Sequence, residues 1–329
     1  MNEREGILER IDITKYPVKI LVAIPLIIFL IALFSLAFTY TQLTEEPNKS
    51  PVRLGMDFTG GTWVKIGTDE TEEVLIAKFS DYPVIIVADT GEGNKKRIEF
   101  DLTSGAEEYD LLIDLLNTEY GAGTYEIESI SSVFGKQYQT QALYALIIAF
   151  VLMAIVVFVV FRAIIPPLAV VFAAFSDIVV AAACMNAIGL ELSLGTVAAL
   201  LMLIGYSVDS NILLTTNLLR KKGDLNEKLR GAMKTGITMT FTTLSAVFAM
   251  FLVSSSIHLF SSQFAPIPML RDISIVLLFG LIMDLMNTWL LNAGILRWYL
   301  DKKEAGKKTY KKDVKRNTEK VKKKDKQKN

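Results

Sequence analysis

The chain has 329 residues, 51% of them hydrophobic, and its 35 Lys plus Arg balance 35 Asp plus Glu. Six separate apolar runs, each longer than 20 residues, exclude a soluble globular protein. A single cysteine, Cys184, excludes an intramolecular disulfide.

The runs predict transmembrane helices over 18–40, 139–161, 164–188, 192–216, 236–257 and 273–296. Each fits the roughly 20 residues needed to cross about 30 Å of hydrocarbon. All are expected to be helical, because a lipid-exposed backbone must satisfy its own hydrogen bonds. The first run is longer than the about 7–15 residues of a signal-peptide core and no A-x-A site follows it, so it is expected to stay as an anchor. Lys and Arg fix the orientation. Arg4, Arg10, Lys15 and Lys19 precede or open the first span, and Arg162 separates the second and third. Arg220, Lys221, Lys222, Lys228, Arg230 and Lys234 lie between the fourth and fifth, and lysines crowd the segment after Arg297. All fall on one side if both termini are cytoplasmic. The expected layout is therefore a cytoplasmic N-terminus (1–17), a first span (18–40), an extracytoplasmic domain (41–138), spans two to six (139–298) and a basic disordered cytoplasmic tail (299–329) in a multi-pass plasma-membrane protein.

The extracytoplasmic segment reads, in order, as a strand in "TWVKIG", a helix in "ETEEVLIAKF" (70–79), strands in "PVIIVAD" (83–89) and "RIEFDL" (97–102) joined as a hairpin, an amphipathic helix over 106–120 stopped by Gly121, and a strand over 124–131. That βαββαβ order is the split βαβ, or ferredoxin-like, arrangement. The fold class expected is an α-helical polytopic membrane protein with six transmembrane helices and an α+β ferredoxin-like domain between helices 1 and 2. The segment carries 19 Asp plus Glu against 8 Lys plus Arg, which argues against nucleic acid as its partner. The lysine-rich tail reads as an anchor near anionic lipid, with ribosomal RNA as a sharper alternative.

No catalytic constellation is evident, so no enzyme activity, cofactor or metal site is expected. His258, the only histidine, reads as interfacial. "GMDFTGG" (55–61) has the glycines of a phosphate loop but no lysine and leads into a strand, so nucleotide binding is not expected there.

Three acids inside the spans carry the argument. Asp177 and Asp284 sit near the middle of the third and sixth runs, and Asp209 lies in "GYSVDSNILLT" (205–215) of the fourth. Three unpaired charges would cost roughly 8–10 kcal/mol on insertion scales, so these groups are expected to load and release a proton. Around Asp209, Gly205 would admit a neighbouring helix closely, Ser207 and Asn211 add polar groups, and Thr235, Thr238, Thr242 and Ser245 form a polar seam in the fifth run that could face it, with Lys234 at the seam's cytoplasmic entrance. Alternatively the seam hydroxyls bond back to their own helix. Asp177 and Asp284 read either as ion carriers or as packing residues bonded to a polar neighbour such as Asn186 or Asn287.

"LGMDFTGGT" (54–62), with Gly55, Asp57, Phe58, Gly60, Gly61 and Thr62, resembles the signature that opens the outer domain of the SecD/SecF protein-export family. "GYSVDSNILLTTNLLR" (205–220) resembles its fourth-span motif, and "IPPLAVVFAAFSDIVV" (165–180) its third span. "DLMNTWLLNAGILRWY" (284–299) is similar to archaeal members rather than bacterial ones. The family belongs to the resistance-nodulation-division superfamily, whose members pair two six-span halves. The resemblance implies that SecD supplies the other half, that the SecY/SecE channel and a translocating polypeptide are partners, and that proton or sodium flux drives movement of the polypeptide on the outer side. It marks Asp209 as the carrier. The family's arginine near the start of the fifth span is matched by Lys234 or Thr235. Two other readings stand beside this one: a half-transporter of small molecules or lipids, and a membrane scaffold.

Overall fold

Six helices in the computed structural model are long and apolar enough to cross a membrane. The structure describes residues 16–42, 50–89, 94–221, 223–256, 267–303 and 305. Arg4, Arg10, Lys15, Lys222, His258 and most of the basic tail lie outside the described residues.

Helix α1 (Val18–Gln42) leads to a one-turn helix α2 (Met56–Thr59) and then to strand β1 (Gly61–Gly67). Helix α3 (Glu72–Lys78), strands β2 (Val84–Asp89) and β3 (Lys95–Phe100), helix α4 (Glu107–Tyr120) and strand β4 (Glu126–Ile130) follow. The signature stretch thus leads into a strand, but by way of a helical turn. The four strands form one antiparallel sheet in the order β2-β3-β1-β4, with Val64 opposite Ile98 on one side and Ile127 on the other. Its core is built from Val64, Ile66, Leu75, Phe79, Ile98, Phe100, Leu112 and Leu116, the inward-facing positions of β1, β3, α3 and α4. Alternation along the strands and 3–4 spacing along the helices place these side chains together.

The remaining spans are α5 (Ser132–Phe161), α6 (Ile165–Ala187), α7 (Leu194–Arg220), α8 (Leu225–Ser256) and α9 (Pro268–Met286). After α9 the sixth helix passes through a π-helical segment (Asn287–Asn292) and runs on to Lys303. Helices α6, α7 and α9 form the centre of the bundle and are mostly buried, whereas α5 and α8 lie at its rim and are mostly exposed. Small residues on α6 (Ala169, Ala173, Ala174, Ala181) let its neighbours approach. Pro166 and Pro167 fit its first turn, where no backbone donor is needed. The first helix packs on α6 and on the π segment.

Helices α5 and α8 begin several residues before their apolar runs do. Their opening turns mix polar with apolar residues, "SVFGKQY" in α5 and "LNEKLRG" in α8, and helical hydrogen bonding needs no lipid. Ser131 caps α5 by accepting from the Val133 amide, and it is the only residue between β4 and α5.

Candidate functional site

Two carboxylates are fully buried where α6, α7 and the sixth helix meet. The Ser207 hydroxyl donates to Asp177 Oδ2 at 2.6 Å, and Asn287 Nδ2 donates to Asp177 Oδ1 at 2.7 Å. The Ser210 hydroxyl donates to Asp284 Oδ2 at 2.9 Å, and the Thr288 hydroxyl to Asp284 Oδ1 at 3.1 Å. Asn211 Nδ2 donates to the Ser207 carbonyl at 2.7 Å, and Asn292 Nδ2 donates to Asn211 Oδ1 at 2.7 Å. One polar chain therefore joins three helices, with α7 supplying its middle.

Helical geometry explains the convergence. Ser207, Ser210 and Asn211 are spaced three and four apart and share one face of α7, as Asp284, Asn287 and Thr288 share one face of the sixth helix. The π segment coincides with Asn287, Thr288 and Asn292, and such local widenings recur at functional sites. Asn287 Oδ1, Asn292 Oδ1 and Thr215 Oγ1 are buried beside the chain without a protein partner. Burying a bare carboxylate is costly, and each carboxylate here touches hydroxyls whose hydrogens rotate and can donate or accept. The arrangement is suited to holding a proton or a small cation and passing it on.

The sequence pattern had singled out Asp177, Asp284, Ser207 and Asn211, and the structure brings these four together. Asn287, named as a candidate neighbour, bonds Asp177. Ser210 and Thr288 were missed, although they lie three residues from Ser207 and four from Asp284, and Asn292, four residues beyond Thr288, was missed with them. Asp209 is different: it is exposed on α7, and no bond of the network involves it. Gly205 is exposed too, and among the described residues a Cβ placed there would meet nothing within 4 Å, so no described helix packs on it. The seam on α8 does not turn inward to meet Asp209. Thr235, Thr238, Thr242 and Ser245 are exposed and donate to the carbonyls of Gly231, Lys234, Thr238 and Phe241, four residues back. Lys234 is exposed as well. Asn186 does not reach the carboxylates but holds the backbone at Pro51 and Arg53.

The glycine-rich signature fastens the sheet domain to the bundle. Leu54 forms a parallel bridge with Leu192, in which the Gly55 amide donates to the Leu192 carbonyl at 2.8 Å and the Leu192 amide to the Arg53 carbonyl at 2.7 Å. Asp57 Oδ2 accepts from the Leu194 amide, in the first turn of α7, at 2.8 Å. The Phe58 side chain is buried, and its carbonyl accepts from Gln139 Nε2 at 2.8 Å. Gly60 has φ +80, and a Cβ there would lie 2.7 Å from the Ser132 backbone, so only glycine fits. Gly135 abuts the Phe58 carbonyl equally closely. Gly61 opens β1, and buried Thr62 donates to the Leu102 carbonyl at 2.6 Å. At the same junction burial and the nearby Glu99 carboxylate push Glu191 up to about 7, with Arg97 and Arg53 opposing and Asp272 adding to the shift. A pocket of about 340 Å³ opens beside it, lined by Arg53, Leu54, Ile85, Phe100 and Glu99. Among the described residues no group of three or more His, Cys, Asp or Glu could hold a metal ion.

Residues 114–302 match the family described as protein export membrane protein SecD/SecF, C-terminal. The chain is 47% identical to the protein-export membrane protein SecF of Methanolacinia petrolearia, over 88% of this chain and 97% of that one. It is 41% identical to its namesake in Haloferax volcanii, over 88% and 95%, and 39% identical to that of Pyrococcus furiosus, over 87% and 92%. The fold is similar to the crystal structure of SecDF, a translocon-associated membrane protein, from Thermus thermophilus, with a TM-score of 0.65 and 19% identity. That likeness covers 86% of this chain but spans only 38% of the SecDF chain.

Proposed function

Because this chain belongs to the SecD/SecF family of protein-export membrane proteins, we propose that it is the SecF-type half of an export accessory in the cell membrane. It pairs with SecD and works beside the SecY/SecE channel. It couples the flow of protons or sodium ions to the movement of a polypeptide emerging on the outer side, and catalyses no covalent reaction. Both termini are cytoplasmic, and the ferredoxin-like domain is outside. The observation that carries this reading is the pair of buried carboxylates, Asp177 and Asp284, tied to the middle of α7. Ionisable groups in the interior of a membrane bundle are retained for transfer of ions or substrates more often than for stability.

Asp209 has a separate place in the proposal. It lies with Met202, Gly205 and Tyr206 on the open face of α7, and small residues on an open face favour close helix approach. That face receives SecD, and Asp209 becomes enclosed only when the two halves pair. The small-molecule and scaffold readings draw no support from a particular feature.

The test is secretion in a cell whose own copy has been replaced by Asp177→Asn plus Asp284→Asn, with SecD co-purification scored in parallel. Secretion is expected to fall about tenfold, an ordinary magnitude for lost coupling between sites, while SecD still co-purifies. Asp209→Asn is expected to slow secretion and weaken SecD retention together. Unchanged secretion in the double variant would remove the ion-coupling reading, and failure to retain SecD in the unaltered protein would remove the pairing.

A further inference from the structure

We infer that Asp57 is the mechanical coupling residue of this molecule: its carboxylate fastens the sheet domain to the first turn of α7, so that displacement of α7 at the buried carboxylates moves the domain. The inference rests on the ion-driven reading above and names the part that transmits it.

Helix α7 touches both places and receives the Asp57 carboxylate, while α6 reaches the junction through Asn186, which holds the backbone at Pro51 and Arg53. At its start the Leu194 amide is held by Asp57, and the residue before the helix but one, Leu192, is paired with Arg53 and Gly55. Thirteen residues on from Leu194, about 20 Å along a stiff α-helix, Ser207 begins the stretch that holds Asp177 and Asp284. Nothing within the helix interrupts this span: α7 is continuous from Leu194 to Arg220.

The domain has a second attachment of a different kind. Strand β4 passes into α5 through Ser131 alone, and the Phe58 carbonyl and Gly60 pack on the first turns of α5. One side of the domain is thus welded to α5, a rim helix, while the other hangs by hydrogen bonds from the central helices, from α7 at Asp57 and from α6 at Asn186. Relative motion of the two helices must rotate the domain, with α5 as pivot and Asp57 as the point of drive. An aspartate suits that point. Its oxygen accepts an amide that a helix leaves unpaired in its first turn, and its charge is favoured at a helix N-terminus. The Ser193 hydroxyl already accepts from the Thr196 amide, so Asp57 serves an amide the helix's own cap does not.

The experiment uses the full chain reconstituted with its partner subunit in liposomes, reading ion uptake under an imposed gradient, and the same variants in cells, reading secretion. Asp57→Ala is expected to lose about tenfold in secretion, within the span of ordinary site-to-site coupling, while ion uptake stays within about twofold of the unaltered protein. Asp57→Asn keeps an oxygen acceptor and is expected to restore most of the secretion. A fall of both readouts in Asp57→Ala would make the contact merely structural and overturn the inference, as would no fall in either, or failure of the Asn variant to rescue. A second measurement reads the lever without flux: amide hydrogen exchange at Gly55 and Leu194 is expected to change about threefold or more when Asp177→Asn and Asp284→Asn neutralise the buried pair, since coupling is reciprocal. Unchanged exchange there overturns the lever while leaving the ion reading intact. Absence of gradient-driven uptake in the unaltered protein removes the ion reading itself, and the lever with it.

Discussion

Helices α7 and α8 both carry hydroxyl side chains within apolar sequence, and they use them in opposite ways. On α7, at the centre, Ser207 and Ser210 reach across to carboxylates on two other helices. On α8, at the rim, Thr235, Thr238, Thr242 and Ser245 bond back to the preceding turn. Residue chemistry is the same in both places. What differs is whether a neighbouring helix presents an acceptor that would otherwise be buried without a partner. A hydroxyl bonded to its own helix leaves that helix free of its neighbours, whereas a hydroxyl bonded across ties two helices to one protonation state.

The largest effect that would sharpen this contrast comes from the centre. Ser207→Ala combined with Asn287→Leu strips Asp177 of both side-chain donors and is expected to cost about 2–5 kcal/mol of unfolding free energy in detergent. A loss below about 1 kcal/mol, the ordinary size of a point substitution, would put the α7 hydroxyls on a par with those of α8 and break the comparison. An intermediate effect belongs to Glu191, a largely buried acid at the junction with no place in the carboxylate network. Its folded value of about 7 stands above the ordinary 4.5, so the docked state binds the proton more tightly than the unfolded chain. Its contribution to docking is complete below about pH 4.5 and is lost as pH rises through about 7. Amide exchange at Leu192, compared at each pH with Glu191→Gln, is expected to show the unaltered protein loosening between pH 6 and 8 and the variant holding, on the pH scale set by that shift. Equal protection of the two at pH 8 would mean that Glu99, Arg97, Arg53 and Asp272 leave the junction indifferent to this charge. The smallest effect is at the rim: Thr238→Val and Thr242→Val are each expected to change stability by no more than about 0.5 kcal/mol in the same unfolding assay, and a larger loss would show that α8 is tied across after all.

Much of the fold is legible in the sequence, because hydrocarbon imposes length and apolarity on a span and strands alternate. The helix starts at Ser132 and Leu225 are not, since opening turns of mixed polarity are helical without forming an apolar run. Cost alone located the buried acids. Rotation of α7 about its axis was beyond reach: Asp209 lies one residue from Ser210, yet a step of about 100° puts one outside and the other in the network. Asn186 was a plausible partner for Asp177 by type, but nine residues of helix, about 13 Å, carry it to the junction, where it holds Arg53.

The π segment at Asn287–Asn292 sets the angular phase of everything after it. Wider turns accommodate what amounts to one extra residue. Rewinding the segment to an ordinary helix with every residue kept would swing the last turns by about 100°, taking Asn292 away from Asn211 and Leu296 out of the packing beneath α1. A change of winding alone therefore re-aims the end of the sixth helix without altering any side chain it presents, whereas deletion of one residue within the segment leaves that aim as it is.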